Sequence, residues 1–233
     1  MVLGIMQPYF LPYIGYWQLL NVADQFVFYD NIQYVKRGWV NRNNILVNNQ
    51  KFLFTIPIKK IHQNNKINEI KLIQDSRWKS KLLKTIHYAY KRAPYFSQTN
   101  SLLKKIIECD DKNLFLFIYN SIIQISEYLK IDSSKFIISS SISIDKSLKA
   151  EEKIISICKK LNTTNYYNPI GGIKLYDKEN FKRNNIQLEF LKTNYIEYDQ
   201  LINGFMPQLS IVDIMMFNSV EEINKMLNSY RLI

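Results

Sequence analysis

The most chemically suggestive pattern in the sequence is an aspartate followed by a cluster of cations and amides. Asp30 ends the apolar run QFVFYD, and Lys36, Asn41, Arg42 and Asn43 follow it within thirteen residues. A carboxylate in this position could act as a base or orient an amine or a sugar hydroxyl, while Lys36 and Arg42 hold phosphate. The alternative is structural, with Asp30 capping a turn and the cations solvated.

The stretch IMQPYFLPYIGYWQLL, residues 5–20, is rich in aromatic and loop-forming residues and lies between an apolar run and a helical pattern. Ligands of open α/β sheets collect where a strand leads into the first turn of a helix, so the stretch predicts a binding site. An amide would polarise an acyl carbonyl, tyrosines would stack or hydrogen-bond, and a glycine would admit a close backbone. These residues are Gln7, Tyr9, Tyr13, Gly15 and Tyr16. Alternatively, the aromatic side chains only fill a core.

Two later segments are weaker candidates. In NPIGGIKLYD, Gly171 and Gly172 could let backbone approach a ligand and Lys174 could reach a phosphate or carboxylate. The segment lacks the rest of a phosphate-loop or dinucleotide fingerprint, so a turn before a helix remains open. In FMPQLSIVD, Ser210 and Asp213 have the three-residue spacing of a helix cap, which supports a structural role at least as well as a catalytic one.

The charge of the chain favours anionic partners. Among its 233 residues, 31 are Lys or Arg and 20 are Asp or Glu, giving a net charge of +11. Nucleotides, phosphorylated sugars, RNA and anionic lipid would all suit that charge. The abundance of Asn, Lys and Ile is typical of an AT-rich genome, which weakens the signal. One predicted helix could contact RNA, although a solvated lysine face is commoner; its polar residues are Lys79, Lys81, Lys84, His87, Lys91 and Arg92.

Several function classes find no support in the sequence. The Cys, His and acidic residues show no metal-ligand spacing, so we predict no metal site. Cys109 and Cys158 fall in helical patterns and are expected to be reduced packing residues. The N-terminal residues lack the pattern of a signal peptide, and no apolar run approaches the roughly 20 residues of a membrane span. We therefore expect a soluble cytoplasmic protein.

The hydrophobic pattern predicts an α/β fold. Strands are expected at 2–6, 25–30, 67–73, 135–142, 165–168 and 186–191, and a hairpin at 44–59. Helices are expected at 12–21, 97–108, 111–129, 146–161 and 178–184, and from 76 and from 210 onward. The pattern predicts one α/β domain over 1–233, with a Rossmann-like, mostly parallel sheet, a β-hairpin and a helical subdomain at about 76–131.

Four segments together resemble one known family. They are residues 5–30, 31–45, 169–176 and 198–213, and in order and content they resemble the WbqC-like protein family over nearly the whole chain. The positions that match the family pattern are Gln7, Pro8, Tyr9, Pro12, Gly15, Tyr16, Asp24, Asp30, Lys36, Asn41, Arg42, Asn43, Gly171, Gly172, Tyr176, Tyr198, Gln200, Phe205, Leu209, Ser210 and Asp213.

The resemblance implies a role in making a modified sugar, because members of this family are encoded with genes for O-antigen and other surface polysaccharides. We therefore expect a transferase that places glycine or another acyl group on the amine of a nucleotide-linked amino sugar. Its catalytic residues would be Asp30 as base, Gln7 and Lys36. Its substrate-binding residues would be Tyr9, Tyr13, Gly15, Tyr16, Asn41, Arg42, Asn43, Gly171, Gly172, Lys174, Tyr176, Ser210 and Asp213.

Donor, partners and even catalysis stay open at this stage. The opening layout is also similar to that of pantothenate synthetases, which activate a carboxylate with ATP, but the loop lacks their histidines. The cofactor could thus be an activated acyl donor or ATP. An acyl carrier or an aminoacyl-tRNA could deliver the acyl group, and the protein could form a homo-oligomer. The alternatives are a non-catalytic protein that binds a sugar nucleotide or glycan precursor, and an aminoacyl-tRNA-dependent amide-forming transferase.

Overall fold

The computed structural model describes residues 1–145, 147–148 and 150–233, and these form a mixed α/β structure. In chain order the strands are β1 (Val2–Met6), β2 (Gln25–Phe28), β3 (Arg42–Val47), β4 (Gln50–Thr55), β5 (Phe136–Ile138), β6 (Asn165–Pro169), β7 (Gln187–Thr193) and β8 (Tyr230–Leu232). The helices are α1 (Ile14–Val22), α2 (Ser76–Tyr90), α3 (Phe96–Glu108), α4 (Leu114–Leu129), α5 (Ala150–Lys160), α6 (Lys178–Arg183), α7 (Ile211–Phe217) and α8 (Val220–Leu227).

The main sheet has the strand order β5-β2-β1-β6-β7-β8, and the strands are parallel except for the edge strand β8. The predicted parallel pairing of β1 with β2 is confirmed. The chain builds outward from β1 to one edge and then returns to β6 on the other side of β1. In sheets of this kind, ligands bind outside the carboxyl ends of the strands where the order reverses. That place lies at the loops that follow Met6 and Pro169.

Helices cover both faces of this sheet. On one face, α5 and α6 pack on side chains that include Leu3, Ile5 and Val27. On the other face, α1 packs on Phe26 and Phe28. The side chains of α2, α3, α4, α7 and α8 belong to the same core. A Cβ on Gly4 would lie 3.0 Å from the ring of Phe26 and close to Leu19 of α1, so the absence of a side chain at Gly4 lets α1 lie directly on β1.

The predicted hairpin is confirmed as the antiparallel pair β3 and β4, and it packs with the helical middle of the chain. The N-terminus of α2 is capped as predicted, since the backbone N–H of Arg77 donates to the Asp75 carboxylate at 2.9 Å. No helix in the described part of the chain is long and apolar enough to cross a bilayer.

Some sequence predictions about elements were wrong in detail, and one strand was missed. The predicted strand at 135–142 is limited to Phe136–Ile138, because a 3₁₀ turn follows at Ser139–Ser141. Residues 67–73 do not form a strand: Ile67–Glu69 is a turn of 3₁₀ helix, closed by the Glu69 carboxylate, which accepts from the Lys66 backbone N–H. Helix α4 begins three residues later than predicted, because the Asn113 side chain caps it. The edge strand β8 has too short an apolar pattern to be predicted. The predicted start of the 146–161 helix, Lys146, lies outside the described residues.

Candidate functional site

The loop after β1 is held by contacts from segments far apart in the sequence. The Leu11 carbonyl accepts a hydrogen bond from Asn43 Nδ2 at 2.7 Å and another from Ser210 Oγ at 2.7 Å. The Phe10 backbone N–H donates to the Val40 carbonyl at 2.9 Å. The structure therefore brings together three of the four segments that the sequence marked as candidate sites.

Above this loop is a hollow of about 280 Å³, called here the Trp39 hollow. Its lining residues are Tyr9, Pro12, Tyr13, Trp39, Asn43 and Gln208. The Trp39 side chain is 49% exposed, and the Arg42 guanidinium lies 5.5 Å from the centre of its ring. A large, accessible aromatic face beside amide groups and a cation is suited to a ring-shaped ligand that carries negative charge.

A second hollow, called here the Phe205 groove, has a volume of about 440 Å³. It lies beyond the carboxyl end of β7. Its lining residues are Tyr13, Ile14, Ile170, Lys192, Thr193, Asn194, Tyr195, Ile196, Tyr198, Phe205, Pro207, Gln208, Leu209 and Ile214. Most of these side chains are apolar or aromatic. Because Tyr13 and Gln208 line both hollows, these two side chains separate the groove from the Trp39 hollow.

Gly15 determines where Tyr13 lies. A Cβ at Gly15 would come within 2.6 Å of the Tyr13 ring and 2.7 Å of Thr193 Oγ1. Thr193 Oγ1 itself donates to the Gln18 side chain at 2.7 Å. The lack of a side chain at Gly15 thus lets Tyr13 and Thr193 of β7 lie close to the backbone of α1. The Tyr13 ring lies across the first turn of α1.

The tyrosines of the opening stretch differ in accessibility. Burial raises the pKa of Tyr13, and burial followed by the nearby Tyr13 raises the pKa of Tyr9, so both phenols stay protonated and can donate hydrogen bonds. Tyr16 is completely buried, and its ring centre lies 5.7 Å from that of Tyr9 and 5.6 Å from that of Phe26. Tyr16 therefore packs beneath Tyr9. The sequence suggested that Tyr16 stacks on a ligand, but the structure does not place its ring to do so.

Asp30 lies in a closed cluster. Its side chain is 1% exposed and accepts hydrogen bonds from Ser139 Oγ at 2.7 Å, the Ser140 backbone N–H at 2.9 Å and Asn68 Nδ2 at 2.8 Å. It lines neither hollow. The carboxylate joins the end of β2 to the turn at 67–69 and to the end of β5, so its geometry is that of a structural anchor.

Gln7 and Lys36, the other predicted catalytic residues, are placed differently. Gln7 follows β1 and is half-buried, and its amide makes no hydrogen bond to the described residues. Lys36 is exposed and forms no ion pair within the described part of the chain. Neither side chain lines the Trp39 hollow or the Phe205 groove. The structure thus does not gather Asp30, Gln7 and Lys36 around one hollow.

The Asn-Arg-Asn triplet shapes the turn that carries Trp39. The buried Asn41 accepts from the Tyr34 hydroxyl at 2.7 Å and donates to the Ile56 carbonyl at 2.7 Å. Arg42 Nε donates to the Gly38 carbonyl at 2.9 Å, which leaves the terminal nitrogens of its guanidinium available to a ligand. Asn41 is therefore placed as a support, Asn43 lines the hollow, and Arg42 lies beside the Trp39 ring.

The Gly-Gly loop lies beside the groove and contributes Ile170 to its lining. Gly172 is buried against the Asn168 side chain, where a Cβ would collide. Gly171 and Lys174 are exposed, and the Tyr176 ring packs 5.8 Å from that of Phe181. None of Gly171, Gly172, Lys174 and Tyr176 lines either hollow.

Asp213 is the second closed carboxylate. It is completely buried and accepts hydrogen bonds from the hydroxyls of Tyr90 at 2.8 Å and Tyr198 at 2.7 Å and from Gln200 Nε2 at 2.7 Å. Burial raises the pKa of Asp213, against the lowering effect of these hydrogen bonds. Through Tyr198 and Gln200, Asp213 anchors the 194–209 segment that forms one side of the Phe205 groove. Ser210 caps α7, with Val212 N–H donating to its Oγ at 3.3 Å.

Sequence reasoning missed Trp39, Phe205 and Gln208 as site residues. Trp39 interrupts a polar segment, and an isolated tryptophan there was an available signal. Gln208 has a positive φ of 60°, which no sequence pattern indicates. No group of three or more His, Cys, Asp and Glu side chains among the described residues could hold a metal ion.

The comparison with known families is decisive for this chain. The pattern of the WbqC-like protein family matches residues 7–225, a range that includes every residue lining the two hollows. The chain belongs to the WbqC-like protein family. It is also 28% identical over 217 residues to an uncharacterized protein of Mycobacterium tuberculosis (strain ATCC 25618 / H37Rv), Rv1507c, covering 91% of each chain. No solved structure matches this member of the WbqC-like family.

Proposed function

We propose that this WbqC-like protein is a transferase that acylates the amine of a nucleotide-linked amino sugar in surface polysaccharide biosynthesis. The sugar nucleotide would occupy the Trp39 hollow and the acyl group of the donor would occupy the Phe205 groove. The observation that carries the proposal is the pair of adjoining hollows with different chemistry, separated by Tyr13 and Gln208. A transfer between two substrates needs such an arrangement, because the reacting atoms must meet at a shared wall.

The Trp39 hollow has the groups that a sugar nucleotide requires. An aromatic face such as that of Trp39 stacks on a base or on the apolar face of a sugar. Gln208 offers a neutral amide to hydroxyl and carbonyl groups, and Arg42, beside Trp39, offers a guanidinium to a diphosphate. A sugar as the ligand is also what the resemblance to this family implies.

The Phe205 groove supports an acyl donor because its lining is mainly apolar. Phe205 packs edge-on against Tyr198, with ring centres 5.1 Å apart, and Lys192 is the cation in the lining. A glycyl group would fill little of a volume of about 440 Å³. The groove therefore favours a larger acyl group, or a donor whose apolar carrier arm binds there.

The reaction would form one bond and break one. The sugar amine attacks the acyl carbonyl carbon, the nitrogen–carbon bond forms, and the bond from that carbon to the thiol or phosphate of the donor breaks. The proton lost by the nitrogen goes to the departing group. The hydroxyl of Tyr13, which stays protonated, and the amide of Gln208 are the groups at the shared wall able to donate to the carbonyl oxygen.

The test is a mass-spectrometric assay of the purified protein with a panel of nucleotide-linked amino sugars and activated acyl donors of increasing chain length. We expect one sugar nucleotide to gain the mass of an acyl group. Trp39→Ala should remove turnover, whereas Phe52→Ala, which alters a similarly exposed aromatic side chain on β4, should leave it unchanged. No mass gain across the panel, together with no thermal shift by any sugar nucleotide, would refute the proposal.

A non-catalytic binding protein is the second candidate, and one observation favours it. Neither hollow has an acid or a histidine in its described lining, so no side chain there is an obvious base for the sugar amine. In that case a sugar nucleotide should produce a thermal shift that Trp39→Ala abolishes, and no donor should give product.

A further inference from the structure

A basic stripe runs along the exposed side of α2, away from both hollows. Arg77, Lys81, Lys84, Tyr88 and Lys91 follow one another at spacings of four, three, four and three residues, and all of them are exposed. This spacing keeps them on one side of the helix. Between the first and the last, the stripe extends about 21 Å at 1.5 Å per residue.

Two shallow hollows flank the stripe and meet at Tyr88. One, of about 490 Å³, is lined by Ser76, Arg77, Ser80, Lys81, Lys84, Thr85 and Tyr88. The other, of about 580 Å³, is lined by Leu46, Asn48, Asn49, Tyr88, Ala89, Tyr90, Lys91, Arg92, Ala93, Gln200, Leu201, Ile202 and Phe217. The described lining of both hollows contains no acid. The stripe is therefore a continuous positive surface.

Most of this charge is uncompensated. Arg77 pairs with Asp75, but Lys81, Lys84, Lys91 and Arg92 form no ion pair with the described residues. Cations that serve only solubility are commonly interspersed with acids, and α2 contains none from Ser76 to Tyr90.

Tyr88 distinguishes this surface from an ordinary lysine face. Its side chain is 71% exposed, and Lys91 Nζ lies 5.8 Å from the centre of its ring. A cation held beside an open aromatic face in the middle of a row of lysines is the arrangement that binds phosphates and stacks on an unpaired base.

We propose that this α2 stripe, together with the adjacent Arg92, binds a single-stranded segment of nucleic acid, with their five cations on successive phosphates and Tyr88 stacked on a base. An anionic membrane fits less well. The apolar side of α2, with Leu82, Ile86 and Tyr90, is buried within the protein, so the helix has no apolar face to insert into a bilayer. The proposal concerns residues that line neither the Trp39 hollow nor the Phe205 groove, and it does not depend on the proposed transferase activity.

The test is fluorescence anisotropy of the full chain with labelled 12-nucleotide U and dT oligomers between 50 and 300 mM salt. With about five cations on phosphates, the logarithm of the association constant should fall with the logarithm of the salt concentration with a slope of about −3.5. Lys81→Gln combined with Lys84→Gln should reduce the slope by about 1.4. Tyr88→Ala should weaken binding about tenfold and leave the slope unchanged.

The matched control is Lys159→Gln with Lys160→Gln, which removes the same charge from exposed positions of α5 on the opposite face of the sheet. We expect this control to bind oligomers as the unaltered chain does. Equal effects of the two double substitutions, no effect of Tyr88→Ala, or binding to anionic vesicles but not to either oligomer would each overturn the proposal. The ratio of affinities for the U and dT oligomers then tells whether RNA or DNA is preferred.

Discussion

The closed carboxylate clusters and the open Trp39 hollow differ in kind, although both contain residues that the sequence marked as candidates for a site. Asp30 and Asp213 are at most 1% exposed, and each accepts hydrogen bonds from donors on other segments. Trp39 is 49% exposed beside amides and a guanidinium. A carboxylate whose lone pairs already accept hydrogen bonds stabilises the fold, whereas an exposed aromatic face is available to contact a ligand.

The largest expected effect lies in the closed clusters. Asp213→Ala leaves the hydroxyls of Tyr90 and Tyr198 and the amide of Gln200 without their acceptor, so we expect a loss of about 3–5 kcal/mol in the free energy of unfolding. Urea unfolding followed by circular dichroism measures it. The exposed Asp110→Ala is the control and should change stability by less than about 0.5 kcal/mol. If the two variants were equally stable, the role of Asp213 as a structural anchor would be wrong.

Asp30→Ala should also destabilise the protein, by about 2–3 kcal/mol, because Ser139, Ser140 and Asn68 lose a buried acceptor. Asp30→Asn should recover part of this loss, since its amide oxygen keeps one acceptor position. The measurement is again urea unfolding. If Asp30→Asn left stability unchanged but abolished turnover, the role of base that the sequence suggested would be restored.

The open hollow should behave in the opposite way. Trp39→Ala removes an aromatic face that contributes little to the core, so its free energy of unfolding should change by less than about 1 kcal/mol. Sugar-nucleotide affinity should fall at least about tenfold. Isothermal titration calorimetry checks the affinity. A variant with a much smaller free energy of unfolding but unchanged affinity would contradict the distinction between the two regions.

A smaller effect concerns the pH dependence of stability. Burial raises the pKa of Asp213 in the folded state, so between its ordinary pKa and the raised value the folded state holds more protons than the unfolded state. Asp213 therefore contributes most to stability below its ordinary pKa, and that contribution is lost as the pH rises through the raised one. Melting temperatures of the unaltered chain and of Asp213→Asn should diverge across this window. Parallel curves would mean that Asp213 does not titrate there.

Much of the fold could be predicted because local signals and tertiary contacts agree. Short apolar runs predict β1, β2 and the hairpin, and Asp75 marks the start of α2 by a cap that the structure contains. Residues 67–73 have the composition of a strand. The described part of the chain gives them only isolated bridges to Ile58 and Asn113 and no full strand partner, so the segment begins with a turn of 3₁₀ helix. Strand β8 is short and pairs with β7 across 36 intervening residues, a contact that local pattern cannot show.

The candidate site was predictable only in part. Three residues that the sequence marked line the Trp39 hollow: Tyr9 and Tyr13, which follow β1, and Asn43, which lies at the start of β3. Tyr16 does not, because its ring is buried against Phe26 of the sheet. The contribution of Gln208 depends on a left-handed backbone conformation far along the chain, and residue type gives no hint of it.

The Leu11 carbonyl, which accepts from both Asn43 and Ser210, has a consequence for ligand binding. The loop beneath the Trp39 hollow becomes ordered when the protein folds, not when a ligand arrives. The conformational entropy of that loop is therefore lost once, during folding, and does not oppose association. A ligand of the Trp39 hollow should thus bind with little change in backbone hydrogen exchange around Leu11.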